Sequence, residues 1–383
     1  MPSAPSLTEL SRYFLRLGAL GFGGPVALAG AMHRDLVERR KWLSAADYEL
    51  ALTVAQVMPG PLAAQLAMGI GYLNAGLIGA TVVALAFILP SFIIVVVLAA
   101  AYAANAGLWW VQALFYTVGA SVIAIIAVAA YRLARSTNGK DPLRWAIFVT
   151  LLVATVWSQA ELAELFIAAG LVAMFVRAPP DLRRLVRSRA SGVVPLALAF
   201  SVEVATPSVL LDLLLFFAKA GAFVFGSGLA IVPFLHQGVV LQNGWLDEHQ
   251  FLDAVAVAII TPGPVVITVA FIGFLVAGFA GASVAALGMF LPVYLFTVVP
   301  LPYFKRHREN PQLSAFVVGA TAAATGAIAG AVVVLGQRAI IDVPTAIVAA
   351  ASLVVLLRSR TPEPLVIAVS GVAGLVLWGL VPR

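Results

Sequence analysis

The sequence predicts an all-α, polytopic membrane protein: two inverted-topology repeats of about five transmembrane helices each, with broken, re-entrant Pro-Gly-Pro helices in addition. Three observations carry that prediction. The 383 residues are 62% hydrophobic and 10% charged, with a mean hydropathy of +1.04, whereas soluble domains carry about 25% charged residues. Stretches such as 70–102 and 111–131 are long enough for a hydrocarbon core that needs roughly 20 apolar residues. They lack the alternation of a transmembrane barrel, so helices are the spanning elements. Finally, a three-part signature occurs twice. Phe22-Gly23-Gly24-Pro25, Trp42-Leu43 and Pro59-Gly60-Pro61 are answered by Phe225-Gly226-Ser227-Gly228, Trp245-Leu246 and Pro262-Gly263-Pro264, each displaced by 203 positions.

The duplication extends beyond the signature. Residues 9–61 and 212–264 align without a gap, with 17 identities in 53 positions, among them Gly18/Gly221 and His33/His236. Charge sign is kept where identity is not, in Arg16/Lys219 and Glu9/Asp212. After one deletion the match runs on to Pro90/Pro292. The expected division is a repeat at 1–177, a basic, partly interfacial linker at 178–210 and a second repeat at 211–383. In the first repeat, a segment at 10–32 holds the Phe-Gly-Gly-Pro break. A loop at 33–43 and an apolar stretch at 44–73, split by Pro59-Gly60-Pro61, come next. Helices are expected near 75–103, 108–131, 143–158 and 161–177. The second repeat reads 211–235, a loop to 246, a split stretch 247–276, then 277–301, 312–336, 340–357 and 363–382. The amino terminus has no basic n-region or small-residue cleavage site and reads as mature sequence.

Loop charges set the expected orientation. The formal net charge of +6 comes from basic residues in short loops between apolar spans, the positive-inside pattern rather than a nucleic-acid surface. Loop 34–41 carries Arg34, Arg39, Arg40 and Lys41, whereas its duplicate 237–244 has no charge and is followed by Asp247, Glu248 and Asp253. Equivalent loops thus differ in sign, as they do when one faces the cytoplasm and the other does not. The basic loops 34–41, 132–144, 177–189, 305–308 and 358–360 share one side only if each split stretch returns to the side it entered. Residues 44–58 would make a helix of about 22 Å, too short for a core of roughly 30 Å.

Pro-Gly-Pro cannot sit inside a regular helix, because each proline lacks a donor and clashes with the preceding turn. In lipid the freed backbone groups survive only against protein or a wet cavity. Two such breaks in inverted halves would meet near the midplane, where helices starting at Pro61 and Pro264 present free N–H groups and positive dipole ends. That is an anion site. Arg16 and Lys219, each six residues before a Phe-Gly motif in apolar surroundings, are the cations expected to bind there, since a membrane charge is costly without a function. Gln56 is a further expected donor, with no counterpart at Ile259. The substrate-binding set is therefore Arg16, Lys219, Phe22, Gly23, Gly24, Pro25, Phe225, Gly226, Ser227, Gly228, Gln56, Pro59, Gly60, Pro61, Pro262, Gly263 and Pro264. Glu9, Asp212, His33 and His236 are the candidates for proton coupling. Trp42 and Trp245 read as interfacial anchors. Gly60 is expected to tolerate alanine less well than Gly79.

The chain has no cysteine, which excludes disulfides and thiolate metal sites. No Ser-His-Asp set and no nucleotide-binding glycine loop is identifiable. No enzyme activity, metal or cofactor is expected.

On its paired Phe-Gly and Pro-Gly-Pro motifs, the sequence resembles the chromate ion transporter (CHR) family in its long-chain, two-domain form, over nearly the whole chain. The resemblance implies an inner-membrane exporter of chromate, coupled to the proton gradient and conferring chromate resistance, with sulfate as a competing oxyanion. Gly228 replaces Pro25 and Ile259 replaces Gln56 in the second half, so the halves are not equivalent. A carrier of sulfate or oxyanions in general, working in uptake, and an oxyanion channel are the alternatives. The expected partners are a chromate- or sulfate-like oxyanion and the lipid bilayer, not nucleic acid; a homodimer is left open.

Overall fold

A computed structural model describes residues 5–21, 24–105, 108–158, 163–179, 208–223, 225–226, 231–306, 311–359 and 361–378. Most of the predicted linker, together with Phe22, Gly23, Ser227 and Gly228, lies outside the described residues.

The chain opens with α1 (Leu7–Leu20), capped by Ser6, whose hydroxyl accepts from the Glu9 amide while Glu9 reaches back to the Ser6 amide and hydroxyl. α2 (Gly24–Met32) runs into a π-helical turn at His33–Arg39. α3 (Ala45–Val57) then leads to β1 (Gly60–Pro61) and α4 (Leu62–Asn105). α5 (Trp109–Tyr116), α6 (Val118–Asn138), α7 (Pro142–Ser158) and α8 (Ala163–Arg177) complete the first half. The second half has α9 (Val209–Phe223), β2 (Phe225–Gly226), α10 (Val232–His236) and a π-helical turn at Gln237–Gln242. It continues with α11 (Glu248–Ile260), a 3-10 turn at Val265–Ile267, and α12 (Thr268–Val298). α13 (Leu301–Arg306), α14 (Pro311–Ala339), α15 (Val343–Arg358) and α16 (Glu363–Leu377) close it.

Geometry recurs at the duplicated positions. Trp42 N–H donates to Leu36 O and Trp245 N–H to Val239 O, both at 2.8 Å. Ser44 and Asp247 cap α3 and α11. α4 reverses at Ala75 (φ −145°, ψ 30°) and Gly76 (φ 60°, ψ −146°); α12 does so at Ala277 (φ −144°, ψ 33°) and Gly278 (φ 59°, ψ −150°). These left-handed glycines turn each helix back so sharply that Gly71 abuts Gly79 O, and Gly273 abuts Gly281 O. Apolar helical runs therefore conceal two chain reversals.

α3 and the first part of α4 form a hairpin with its tip at Gly60. Ala51 lies against Gly69, and Leu50 and Val54 cluster with Tyr72 and Leu73. Each arm holds about 13 residues, roughly 20 Å of helix. The second parts of α4 and α12 pack on each other, Thr81 meeting Tyr294 and Phe92 meeting Phe279. Residue number rises on one helix as it falls on the other, so these duplicated helices run antiparallel. Around them lies the main core, with Phe14, Phe87, Phe217, Phe251 and Phe271 fully buried. Close helix contact uses small residues: Gly18 lies on the Phe87 carbonyl, Gly221 on that of Met289 and Gly326 on that of Phe148.

Among the described residues, four stretches are long and apolar enough to cross a membrane: Leu62–Asn105, Trp109–Asn138, Val265–Phe304 and Ser314–Ala339. Exposed Leu77, Leu85, Leu89, Ile93 and Val97 on α4 form an apolar outer face, which suits acyl chains and not water.

Candidate functional site

After Val57 the prolines deny the next turn its hydrogen bonds, and the chain becomes extended at Met58 (φ −87°, ψ 146°). Backbone groups released this way must find partners where water is scarce. The other half supplies them. β1 and β2 pair in parallel, Gly60 opposite Phe225 and Pro61 opposite Gly226. At the second break, Gly263 N–H donates to Gly21 O at 2.9 Å, next to Phe22. Each Pro-Gly-Pro thus pairs with the Phe-Gly region of the opposite half.

Side chains complete the junction. Gln65 is fully buried, and its Nε2 donates to Pro59 O at 2.9 Å while its Oε1 has no hydrogen-bond partner among the described residues. Its amide lies over Gly60, whose φ of +143° and lack of a side chain make that approach feasible. Ser91 Oγ donates to Gly18 O at 3.1 Å and sits against Gly263, where φ is +99°. Thr261 and Thr268 are also buried, their hydroxyls bonded to Val257 O and Val265 O. Neither Gln65 nor Ser91 was singled out by the sequence, because a polar residue in an apolar helix has no periodicity to mark its neighbour across the fold. The junction brings together Pro59, Gly60, Pro61, Phe225, Gly226, Pro262, Gly263 and Pro264. α2 begins nearby with Gly24 and Pro25.

The other expected residues stand apart. Arg16 and Lys219 are exposed, and neither has an ion pair or hydrogen bond among the described residues. α1 buries Leu10, Tyr13, Phe14 and Gly18, which leaves position 16 on the opposite face of a 3.6-residue helix. Gln56 is exposed as well, near the end of α3. Glu9 belongs to the α1 cap, and the Ser6 hydrogen bonds hold its carboxyl below the usual range. Asp212 is exposed in the first turn of α9.

The two histidines have diverged. His33 is part-exposed, 3.1 Å from Glu38 and edge-on to Tyr48. His236 is 4% exposed, packs on Phe251 and meets Glu248 at 2.7 Å. Glu248 also pairs with Arg338 of α14. Burial raises the Glu248 carboxyl, but hydrogen bonds from His236 and Arg338 outweigh it and leave the group below its ordinary range. Ala45 stands where Glu248 stands in the duplicate, so only the second half has this triad. Among the described residues no cluster of three or more His, Cys, Asp or Glu side chains could hold a metal ion.

The chromate transporter family profile matches residues 8–175 and 211–375, once in each half. The chain belongs to the chromate transporter family. It is 54% identical to the "Probable chromate transport protein" of Synechococcus elongatus over 98% of this chain and 96% of that one. It is also 54% identical to the "Chromate transport protein" of Cupriavidus metallidurans, over 99% and 95%. The "Chromate transport protein" of Pseudomonas aeruginosa is 29% identical over 100% and 94%. No solved structure matches the chain. Membership of a transporter family and the apolar helices make this a multi-pass membrane protein, and its relatives are transporters rather than enzymes.

Proposed function

We propose that this chain is a secondary transporter exporting chromate across the inner membrane, driven by the proton motive force and conferring chromate resistance. The observation that carries this reading is the cross-pairing of the breaks: Gly60–Pro61 on Phe225–Gly226, and Gly263 on Gly21. It gathers interrupted backbone from both halves into one central junction where α4 and α12 begin. Amino-terminal helix ends carry about half a positive charge and free N–H donors, which favour an anion. No acidic side chain hydrogen-bonds to either break among the described residues. In this reading Arg16 and Lys219 attract the dianion along α1 and α9, and the backbone of the four breaks receives it.

The halves are inverted-topology repeats, 1–177 and 211–383, and each Pro-Gly-Pro hairpin enters and leaves on one side of the membrane. The antiparallel run of the duplicated helices α4 and α12 supports this, as do hairpin arms of about 20 Å against a core of roughly 30 Å. An inside-negative potential favours outward movement of a dianion by about 4.6 kcal/mol per 100 mV, twice the single-charge value. Alternating access then rocks one half against the other around the junction.

The test is radiolabelled chromate flux into inverted membrane vesicles, with sulfate as competitor and an imposed pH gradient. Saturable uptake stimulated by the gradient and by counter-substrate is expected. Flux that favours sulfate and runs inward in intact cells would replace this reading with an uptake carrier; ohmic single-channel currents would replace it with a channel.

A further inference from the structure

A buried carboxyl that the sequence marks only as one of the charges after loop 237–244 lies one helix arm from the junction. Asp253, in the second turn of α11, is 6% exposed, and the eight residues after it up to Thr261 carry no charge. Its Oδ2 accepts a 2.7 Å hydrogen bond from the Tyr102 hydroxyl, near the end of α4. No lysine, arginine or histidine pairs with it among the described residues. Burying an ionised carboxylate with one neutral donor costs several kcal/mol, so such a group sheds its charge whenever a proton is supplied.

A route for that proton is present. A cavity of about 350 Å³ opens against Asp253 and is lined by Tyr102, Gln112, Tyr116, Asp247, His249 and Trp378, among others. At about 30 Å³ per water it has room for roughly ten. The titratable groups facing Asp253 are Tyr102 from α4, Tyr116 from α5 (bound to Asp342 at the start of α15), and Asp247 and His249 from the start of α11. Glu248 on the same helix is engaged by His236 and Arg338. α12 has no acid or base apart from Tyr294, which meets Thr81 of α4. α6 packs on Leu252 through Gly119, and its Arg132 and Arg135 lie at its far end. On α16, which reaches the cavity through Trp378, Glu363 lies at the other end. The lining is acidic and phenolic and would repel an oxyanion. Asp247, on its lining, follows the charge-free loop 237–244 by three residues in the chain, which places the cavity at the end of the molecule that the loop charges assign to the outer side.

We propose that Asp253 is the proton-carrying group of this transporter, loaded from the outer face through the cavity bounded by Tyr102, Tyr116, Asp247 and His249. This rests on the proton-coupled reading above and adds its site. A hydronium in the cavity gives its proton to the Asp253 carboxylate and becomes water, and the neutral acid accepts more weakly from Tyr102. Release of the proton to water on the other side restores the carboxylate and its bond. α11 ends at Ile260, about 10 Å beyond Asp253 and two residues before Pro262, so a shift of this arm on neutralisation would reach the second break directly.

The experiment uses the full chain in proteoliposomes with a trapped pH dye, measuring chromate flux with and without an imposed pH gradient. In the wild type the gradient should accelerate flux and proton movement should accompany it. In Asp253→Asn the ratio of gradient-driven to gradient-free flux should fall to unity and the proton signal should vanish. Tyr102→Phe removes one donor to the carboxylate and should raise the midpoint of the pH dependence by about one unit. That arm also decides the matter if the asparagine variant fails to reach the membrane. Gradient stimulation retained in Asp253→Asn, an unmoved midpoint in Tyr102→Phe, or a sodium gradient replacing the pH gradient would each overturn the assignment. Wild-type liposomes impermeable to chromate would sink the transport reading itself and this site with it; pH-indifferent wild-type flux would sink the proton coupling and the site but leave chromate transport standing; and gradient stimulation retained in Asp253→Asn sinks only the site.

Discussion

Glu248 joins three elements with one carboxylate, touching His236 at the end of α10 and Arg338 at the end of α14. Its folded-state affinity for protons is lowered below the ordinary value of 4.5, so its contribution to stability is present above that value and disappears as pH falls through the lower folded one. Glu248→Gln should therefore destabilise the protein by about 1–3 kcal/mol at neutral pH. The difference from wild type in a detergent melting curve should shrink below about pH 4.5; a pH-independent difference would mean that packing, not charge, holds the triad. Lys219 poses the opposite case, an exposed cation in an apolar stretch of sequence with no partner among the described residues. Lys219→Ala should lower chromate flux at least about tenfold, roughly 1.4 kcal/mol, with insertion intact and with partial recovery in Lys219→Arg. Wild-type flux in the alanine variant would remove Lys219 from the anion path. The placement of Arg16 was already legible, because Leu10, Tyr13, Phe14, Leu17 and Gly18 trace the packed face of α1 and position 16 falls opposite. Asp253 also left a signal, a lone acid ahead of eight uncharged residues, but its phenol partner 151 positions away left none.

The hairpins show what local chemistry can and cannot announce. Pro-Gly-Pro locates each tip, Ser44 and Asp247 announce each start, and the reversals at Ala75–Gly76 and Ala277–Gly278 fall where the sequence divided 44–73 from 75–103 and 247–276 from 277–301. The partner of each tip was not legible, since a two-residue strand has no alternation and its pairing is decided wholly by the other half. Glycine requirements follow from that pairing. Gly263 combines a φ of +99° with a Cβ position 1.9 Å from Ser91 Oγ, whereas a Cβ at Gly30 meets open space. Gly263→Ala should cost about 1–3 kcal/mol in backbone strain alone and abolish transport, while Gly30→Ala should keep both melting temperature and flux. Gly79, which the sequence offered as the milder comparison for Gly60, is a poor control, because its Cβ would lie 2.1 Å from Gly71 O. If Gly263→Ala transports normally, the second break is ordinary packing and not part of the path.

At the scale of the whole molecule, the deciding quantity is the relative orientation of the halves, which composition alone could not fix because both are equally apolar. Three features bear on it independently. The loop 34–41 is basic and its duplicate 237–244 is uncharged, the duplicated helices α4 and α12 cross antiparallel, and the ends of distant helices are tied in a consistent order. Tyr102 meets Asp253 and Tyr116 meets Asp342 at one end, while Arg132 reaches Leu356 O and Arg177 pairs with Asp141 at the other. The first end is acidic and phenolic and the second is basic, which is the arrangement that positive-inside insertion selects. Because the chain has no cysteine of its own, single cysteines at the exposed positions Glu38 and Gln242 provide a clean reading. In intact cells a membrane-impermeant maleimide should label Gln242→Cys and spare Glu38→Cys, and in inverted vesicles the pattern should reverse. Two halves inserted the same way up would put both positions on one side; both would then label together, and the twofold junction would lose the symmetry that lets one site open alternately to either face.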